Sequence, residues 1–260
     1  MTAKGRMLNK QTAAQISRKI SRFISNYVSK SSARGLVIGL SGGLDSSVVL
    51  KLCVNAIGPT KVLGLIMPSD TTPKADIQHA IDLAEDLKMR YLVIDINQII
   101  DKYEEVLPGN KRARGNLMAR IRMNLLYYFA GVNQYLVAGT SDKSEIQIGY
   151  FTKYGDGAAD ILPIADLYKT EVRALALHLQ VPAEIVEKKS SPRLWDNHLA
   201  EEEIGMDYEI IDAILHLLEK KASSKTIASK LGISVKKVKK INDMIDASAH
   251  KRHPPSIAPI

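Results

Sequence analysis

One run, Leu36-Val37-Ile38-Gly39-Leu40-Ser41-Gly42-Gly43-Leu44-Asp45-Ser46-Ser47, constrains the fold more than any other part of the chain. It passes from an apolar strand through a Ser/Gly turn into a helix. Adjacent glycines let the backbone approach an anion with no Cβ in the way, Ser41, Ser46 and Ser47 add hydroxyl donors, and the helix start offers unpaired N–H groups. Asp45 is placed to hold a cation against bound phosphates. The turn lacks both the GxxxxGK[ST] spacing and a lysine after its glycines, which excludes a Walker loop, and GxGxxG is absent too. The plain alternative is a Ser/Gly-rich linker at a strand end. The β-type run before it and the amphipathic helix after it speak against that.

The rest of the chain has the rhythm this turn demands. Ile16, Ile20, Phe23, Ile24, Tyr27 and Val28 recur at helical spacing and predict a first helix over 12–31. Strand one is expected over Gly35 to Leu40, with a helix from the turn to about Ile57, where Gly58-Pro59 breaks it. Lys61 to Met67 is nearly continuous apolar sequence, the mark of a strand buried on both faces of a parallel sheet. A helix over 73–88 and a strand at Tyr91 to Ile96 continue the β-α-β-α order. A short helix at 97–106, a long one from Ala113 to Ala130 and strand four at Tyr135 to Gly139 follow. Thr140 then shares a sheet edge with Ser41. Residues 141–160 are polar and glycine-containing, a connection long enough to be functional, and Leu162-Pro163-Ile164 reads as a fifth strand. After a helix from Lys169 to Leu179, the segment from Glu187 to Asn197 reads as loop, and helices are expected at 201–219, 223–231 and 234–247. The expectation is an α/β fold, a doubly wound parallel sheet of Rossmann-like kind with a helical C-terminal part and ligands at the carboxyl ends of the strands. We divide it as one functional domain over 1–260, with an α/β core at 12–185 and a substrate loop, helices and basic tail at 186–260.

Composition narrows the class. At 260 residues the chain can bury one substantial core with a small helical appendage. The formal charge of +8 is local: residues 220–252 hold ten Lys or Arg against two Asp, which accounts for all of it. No apolar run is long enough to span a bilayer, and Met1 to Lys10 carries charges with no signal-peptide core after it, so no membrane role and a cytoplasmic location are expected. The single cysteine, Cys53, allows no internal disulfide or cysteine cluster and reads as helix core.

The Ser/Gly turn resembles the SGGxDS loop of the ATP pyrophosphatases, which cleave ATP between the α and β phosphates and hand AMP to an acceptor. Three further stretches extend the likeness: Gly115-Asn116-Leu117-Met118-Ala119-Arg120-Ile121-Arg122-Met123, Gly139-Thr140-Ser141-Asp142-Lys143-Ser144-Glu145, and Gly149 through Thr152-Lys153-Tyr154-Gly155-Asp156-Gly157 to Asp160 and Pro163. Together they resemble the ammonia-dependent NAD synthetases, from the phosphate loop to His250-Lys251-Arg252. The resemblance implies that MgATP adenylates the nicotinate carboxylate of deamido-NAD and that ammonia displaces AMP. It implies an ATP site at Gly39, Leu40, Ser41, Gly42, Gly43, Leu44, Asp45, Ser46, Thr140, Lys169 and Ser191. Asp45 and Glu145 would be Mg²⁺ ligands, and Asp45 and Lys169 would carry the catalytic step. Deamido-NAD would meet Arg120, Lys153, Asp160, His250 and Lys251. Taken alone, these residues read as solvated helix arginines, loop carboxylates, a helix-start lysine and a tail. The resemblance also implies a homodimer that shares the dinucleotide site.

One region departs from the pattern. Where these enzymes commonly have Pro-Ser-Ala-Gly-Leu-Trp and then Gly-Gln-Thr-Asp-Glu, this chain has Ser190-Ser191-Pro192-Arg193-Leu194-Trp195-Asp196-Asn197-His198-Leu199-Ala200-Glu201. Trp195 is kept, and the acidic residue expected near Ala200 is not. Glutamine-using relatives carry an amidotransferase domain with a catalytic cysteine, for which this chain has no room, so ammonia is the expected nitrogen donor. The rival reading is nucleic-acid binding, either a tRNA-modifying ATP pyrophosphatase or a helix-turn-helix protein. Residues 224–245 have the helix, glycine turn, helix rhythm with a lysine-rich second helix. Ile227, Leu231, Val238, Ile241 and Ile245 read instead as a packed stripe, so no nucleic-acid partner is expected.

Overall fold

A strand with no polar alternation is satisfied only between two helical layers, and Val62–Ile66 is buried at every position. The computed structural model, which describes residues 10–259, supplies those layers. The reading of the N-terminal charges at Met1 to Asn9 lies outside the described residues. Helix α1 (Lys10–Lys30) leads to β1 (Gly35–Gly39), α2 (Leu44–Ile57), β2 (Val62–Ile66), α3 (Lys74–Asp86), β3 (Arg90–Val93), α4 (Asn97–Glu104), α5 (Lys111–Asn133) and β4 (Tyr135–Ala138). The sheet is parallel throughout, in the order β3-β2-β1-β4. Leu36 and Ile38 of β1 pack with α2, α3 and α1, whereas Val37 joins Leu63, Leu65 and the apolar sides of α4 and α5. Alternation along each strand therefore feeds both faces.

The chain leaves β1 for β2 on one side and returns as β4 on the other. That reversal opens a crevice between the carboxyl ends of β1 and β4, where ligands bind in folds of this kind. The sequence expectation of an α/β parallel sheet holds. The fifth strand does not: Leu162-Pro163-Ile164 forms no strand, Pro163 and Ile164 lying in a turn, and the contact with β4 stops at Asp160 and Ile161, with a single bridge from Ile161 to Ala138. Pro163 has no N–H for a ladder, which keeps pairing from propagating.

The polar stretch after β4 contains a helix that its composition hides, α6 (Lys143–Ile148), started by an Asp142/Glu145 capping box and ended by Gly149 at φ 69°. Helices α7 (Lys169–His178) and α8 (Ala183–Val186) follow. The expected helix over 201–219 is two, α9 (Ala200–Ile204) and α10 (Tyr208–Glu219), divided at the left-handed Gly205. Helices α11 (Ser224–Leu231) and α12 (Val235–Ala247) complete the chain's helical half. Tyr208, Ile211, Ile214, Leu215, Ile227, Val238 and Ile241 form a second apolar cluster, into which Ile148 of α6 also packs. The lysine-rich segment is thus held by an apolar stripe.

No described helix is long and apolar enough to cross a membrane. Helix α2 buries Val48, Val49, Leu50 and Leu52 with Cys53, each large aliphatic contributing about 1.5–3 kcal/mol. Burial also pushes the Cys53 thiol up to about 12. Iodoacetamide at neutral pH is therefore expected to leave Cys53 unmodified in the native chain and to alkylate it fully in guanidinium, as read by mass spectrometry. Rapid native labelling would mean that α2 is not seated as described.

Candidate active site

The turn after β1 is built by its own hydroxyls. Ser41 and Ser46 share a hydrogen bond at 3.0 Å, Gly43 N–H donates to Ser41 Oγ at 3.2 Å, and Ser47 Oγ donates to the Gly43 carbonyl at 2.8 Å. The Ser47 N–H to Gly43 bond is the first of α2, so the N–H groups of Leu44, Asp45 and Ser46 have no intrahelical partner. Gly43 caps the helix with no side-chain bond, which leaves this end open to an anion. Gly42 has φ +68°, and a Cβ there would lie 1.9 Å from the Asp76 carbonyl. Only glycine lets α3 come this close to the turn.

Opposite the turn sits Lys169, fully buried, with Nζ 2.7 Å from Asp45 Oδ2, 3.0 Å from Asp142 Oδ2 and 2.8 Å from Glu145 Oε1. The lysine is fixed at its backbone as well. Its N–H donates to Ser144 Oγ at 3.0 Å, and Asp212 of α10 accepts from Ser144 Oγ at 2.5 Å and from Thr170 N–H at 2.8 Å. A buried carboxylate at the start of α7 is favoured by the unpaired N–H groups there. Desolvation alone would lower the Lys169 pKa, but the three carboxylates hold it well above the ordinary value. Glu145 and Asp142 are raised in turn, chiefly by burial with repulsion from neighbouring carboxylates adding to it, Glu145 to about 8 and Asp142 to about 6. One ammonium does not neutralise three carboxylates, so the cluster favours further positive charge.

A cavity of about 720 Å³ opens beside this cluster, lined among others by Gly39, Leu40, Ser41, Gly43, Leu44, Asp45, Ser46, Thr140, Glu145, Ser191 and Lys251. These sequence-predicted residues are brought together. Gly42 and Lys169 lie directly behind the lining. Arg120, Lys153, Asp160 and His250 do not line the cavity. Arg120 Nη2 donates to the Lys153 carbonyl at 3.2 Å and Lys153 Nζ to the His250 carbonyl at 2.7 Å, so these three form their own chain. Lys251 Nζ reaches the carbonyls of Gly149 and Phe151, each at 2.7 Å. The Asp160 carboxylate accepts from Val137 N–H at 2.7 Å. Ser191 Oγ donates to the His198 carbonyl inside its own loop.

Sequence reasoning missed Asp142, whose Asp-x-x-Glu spacing to Glu145 was a visible capping signal. It also assigned no role to Arg122, which without its motif has the spacing of a solvated helix charge. In the structure Arg122 is half-buried at the cavity wall, with Nε on the Met67 carbonyl at 3.0 Å, and desolvation lowers its pKa to about 10.

A family model described as NAD synthase matches residues 16–255. The chain belongs to the NAD synthase family. The NH(3)-dependent NAD(+) synthetase of Hyperthermus butylicus is 51% identical over 222 residues, covering 84% of this chain and 80% of its own. Two solved structures share the fold over nearly full length. NMN synthetase from Francisella tularensis superposes with TM-score 0.84 at 35% identity, covering 95% of this chain and 98% of that one. The NH3-dependent NAD synthetase from Campylobacter jejuni, in complex with nitrate, gives 0.82 at 32% identity, covering 97% and 100%.

The departure of this family member near Ala200 has a structural setting. Ala200 begins α9, is buried with the second apolar cluster and donates its N–H to the Ser190 carbonyl at 3.0 Å. Lys169→Met tests the charge cluster. Removing the ammonium leaves three carboxylates facing one another and is expected to cost about 3–5 kcal/mol in chemical denaturation at pH 8. Carboxylates whose pKa is raised on folding favour the folded chain at lower pH, so part of the loss should return as pH falls from 8 to below about 6, with Glu145 taking up a proton first and Asp142 after it. A pH-independent loss would contradict the cluster's electrostatics.

Proposed function

We propose that the protein adenylates the nicotinate carboxylate of deamido-NAD with ATP, releasing pyrophosphate, and that ammonia then displaces AMP to form the amide of NAD. The observation that carries this is the meeting of Asp45, Glu145 and Lys169 at an open helix start, beside a cavity of nucleotide size. Membership of the family and the names of its ammonia-dependent relatives support it.

A carboxylate is a poor electrophile, and joining it to AMP supplies a leaving group. The adenylation step concentrates negative charge on phosphate oxygens, and that charge needs positioned donors and cations. The turn at Ser41 to Ser46 cradles the phosphates with backbone N–H groups, and Lys169 keeps its charge at every physiological pH. Asp45 and Glu145 fit a Mg²⁺ ion. Both are hard oxygen donors, Asp45 Oδ1 is buried without a hydrogen-bond partner, and two carboxylates leave coordination positions for phosphate oxygens. Bound there, the ion would supply charge neutralisation at the phosphates. Thr140, Ser191 and the turn residues are assigned to ATP, and Arg120, Lys153, Asp160, His250 and Lys251 to deamido-NAD.

Those last residues lie mostly outside the cavity, which favours a second copy completing the dinucleotide site. Exposed apolar side chains supply a surface for it. Val93 at the sheet edge is 50% exposed, and Tyr128 and Val132 on α5 are 65% and 64% exposed. The cytoplasm, where ATP and Mg²⁺ are plentiful, is the compartment this chemistry expects.

Incubation with ATP, Mg²⁺, deamido-NAD and ammonium is expected to yield AMP, pyrophosphate and NAD in equal amounts, with glutamine inactive. Nicotinate mononucleotide as acceptor measures how strictly the dinucleotide is required. Asp45→Asn and Glu145→Gln should each lower turnover by about a hundredfold or more with unchanged circular dichroism, and near-normal rates in either would overturn the metal assignment. Lys153→Ala should weaken deamido-NAD binding in a calorimetric titration while leaving ATP affinity in place. Equal affinity for deamido-NAD in that variant would remove Lys153 from the site.

A further inference from the structure

A charged link outside the described catalytic set joins the segment 187–199, which lies between α8 and α9 and overlaps the departing region, to the phosphate turn. Lys188 Nζ donates to the Gly42 carbonyl at 2.9 Å, to Asp76 Oδ1 at 2.7 Å and to His79 Nδ1 at 2.8 Å. An ammonium has three protons, and all three are engaged. Asp76 is buried at the start of α3, and its second oxygen accepts from Arg193 Nε at 2.9 Å. Both cations come from segment 187–199, and the Arg193 carbonyl accepts from Thr71 Oγ1 at 2.8 Å. The Asp76 backbone meanwhile lies against the Gly42 Cα. One carboxylate thus receives two cations from this segment and abuts the turn.

The Gly42 contact matters because a peptide is planar. Its C=O and N–H point in opposite directions, so fixing the Gly42 carbonyl also fixes the Gly43 N–H. With glycine on both sides, no Cβ restricts rotation of that peptide, so it is held only by its two hydrogen bonds, from Gly43 N–H to Ser41 Oγ inside the turn at 3.2 Å and from Lys188 to the Gly42 carbonyl outside it. A charge-assisted bond from a lysine seated on a buried carboxylate is strong and directional enough for the task.

We propose that Lys188 is a positioning residue for the phosphate site. Held by Asp76, it pins the Gly42–Gly43 peptide, so the turn adopts its anion-binding form only while segment 187–199 is docked. Docking of the segment and capture of the triphosphate are then one event. This rests on the reading of the turn as the triphosphate site.

The test uses the full chain and magnesium pyrophosphate as probe. Lys188→Met is expected to weaken pyrophosphate binding and to raise the KM for ATP by about tenfold, with the KM for deamido-NAD changed by at most about twofold. Lys188→Arg should recover part of the loss. Asp76→Asn combined with Lys188→Met should lose clearly less than the sum of the two single losses, because the two share one contact. The chain's single tryptophan, Trp195, lies in the same segment, and its fluorescence anisotropy should fall in Asp76→Asn without ligand. Circular dichroism checks that each variant is folded. Should Asp76→Asn prove unfolded, Arg193→Gln, which leaves the Gly42 contact in place, is expected to alter Trp195 anisotropy with a smaller loss of pyrophosphate affinity. Wild-type pyrophosphate affinity in Lys188→Met, or an equal loss for both substrates, would overturn the proposal while leaving ATP cleavage by the wild type intact. If the wild-type chain itself binds no pyrophosphate, the triphosphate reading fails and this proposal with it.

Discussion

The site depends on a single buried ammonium set among three carboxylates. Lys169 draws Asp45 from the phosphate turn together with Asp142 and Glu145 from the start of α6, which follows β4. These segments are distant in sequence and belong to the two strands between which the sheet's order reverses. Without the lysine, mutual repulsion would drive them apart. With it, the cluster still carries excess negative charge, as the raised pKa values of Asp142 and Glu145 express. A pocket in that condition favours cations and excludes a bare polyanion unless positive charge arrives with it. That is the electrostatic requirement of a metal-bound triphosphate.

The rest of the molecule serves to hold that cluster still. Helix α7 is anchored at its first turn by Asp212 from α10, so the helical second half sets the position of the lysine. Helix α12, whose lysines suggested nucleic acid in isolation, packs against α6 and α10 through Val238 and Ile241 and lends Lys240 and Met244 to the cavity wall. Its basic character therefore falls beside a pocket that this account fills with phosphates. The basic tail leads directly from it to Lys251, which clamps the carbonyls before and after Tyr150.

Much of this was legible in the sequence, for identifiable reasons. The sheet could be read because β2 has no polar alternation and because Gly42-Gly43 permits a turn that few other sequences allow. Residues whose role is local, such as Asp45 and Ser46, could be placed from spacing alone. What stayed hidden depends on tertiary contact. Asp76 reads as an ordinary first-turn carboxylate until Lys188, more than a hundred positions away, is seen to reach it. Arg122 has the spacing of a solvated helix charge, and only packing of α5 against the sheet turns it onto the Met67 carbonyl. Leu162-Pro163-Ile164 has strand-like side chains, yet a proline without an N–H cannot extend the ladder past the bridge at Ile161. Helix α6 was masked by its polarity, although its Asp142/Glu145 box and Gly149 are sequence signals of both ends.

The central claim is that a carboxylate oxygen of the acceptor attacks the α phosphate of ATP in this pocket. Oxygen-18 in the nicotinate carboxylate of deamido-NAD follows that bond directly, by mass spectrometry of the products. The account predicts one labelled oxygen in AMP and none in pyrophosphate, since the atom joining carbonyl and phosphorus leaves with AMP when ammonia attacks. Unlabelled AMP, or cleavage of ATP to ADP and phosphate, would contradict it.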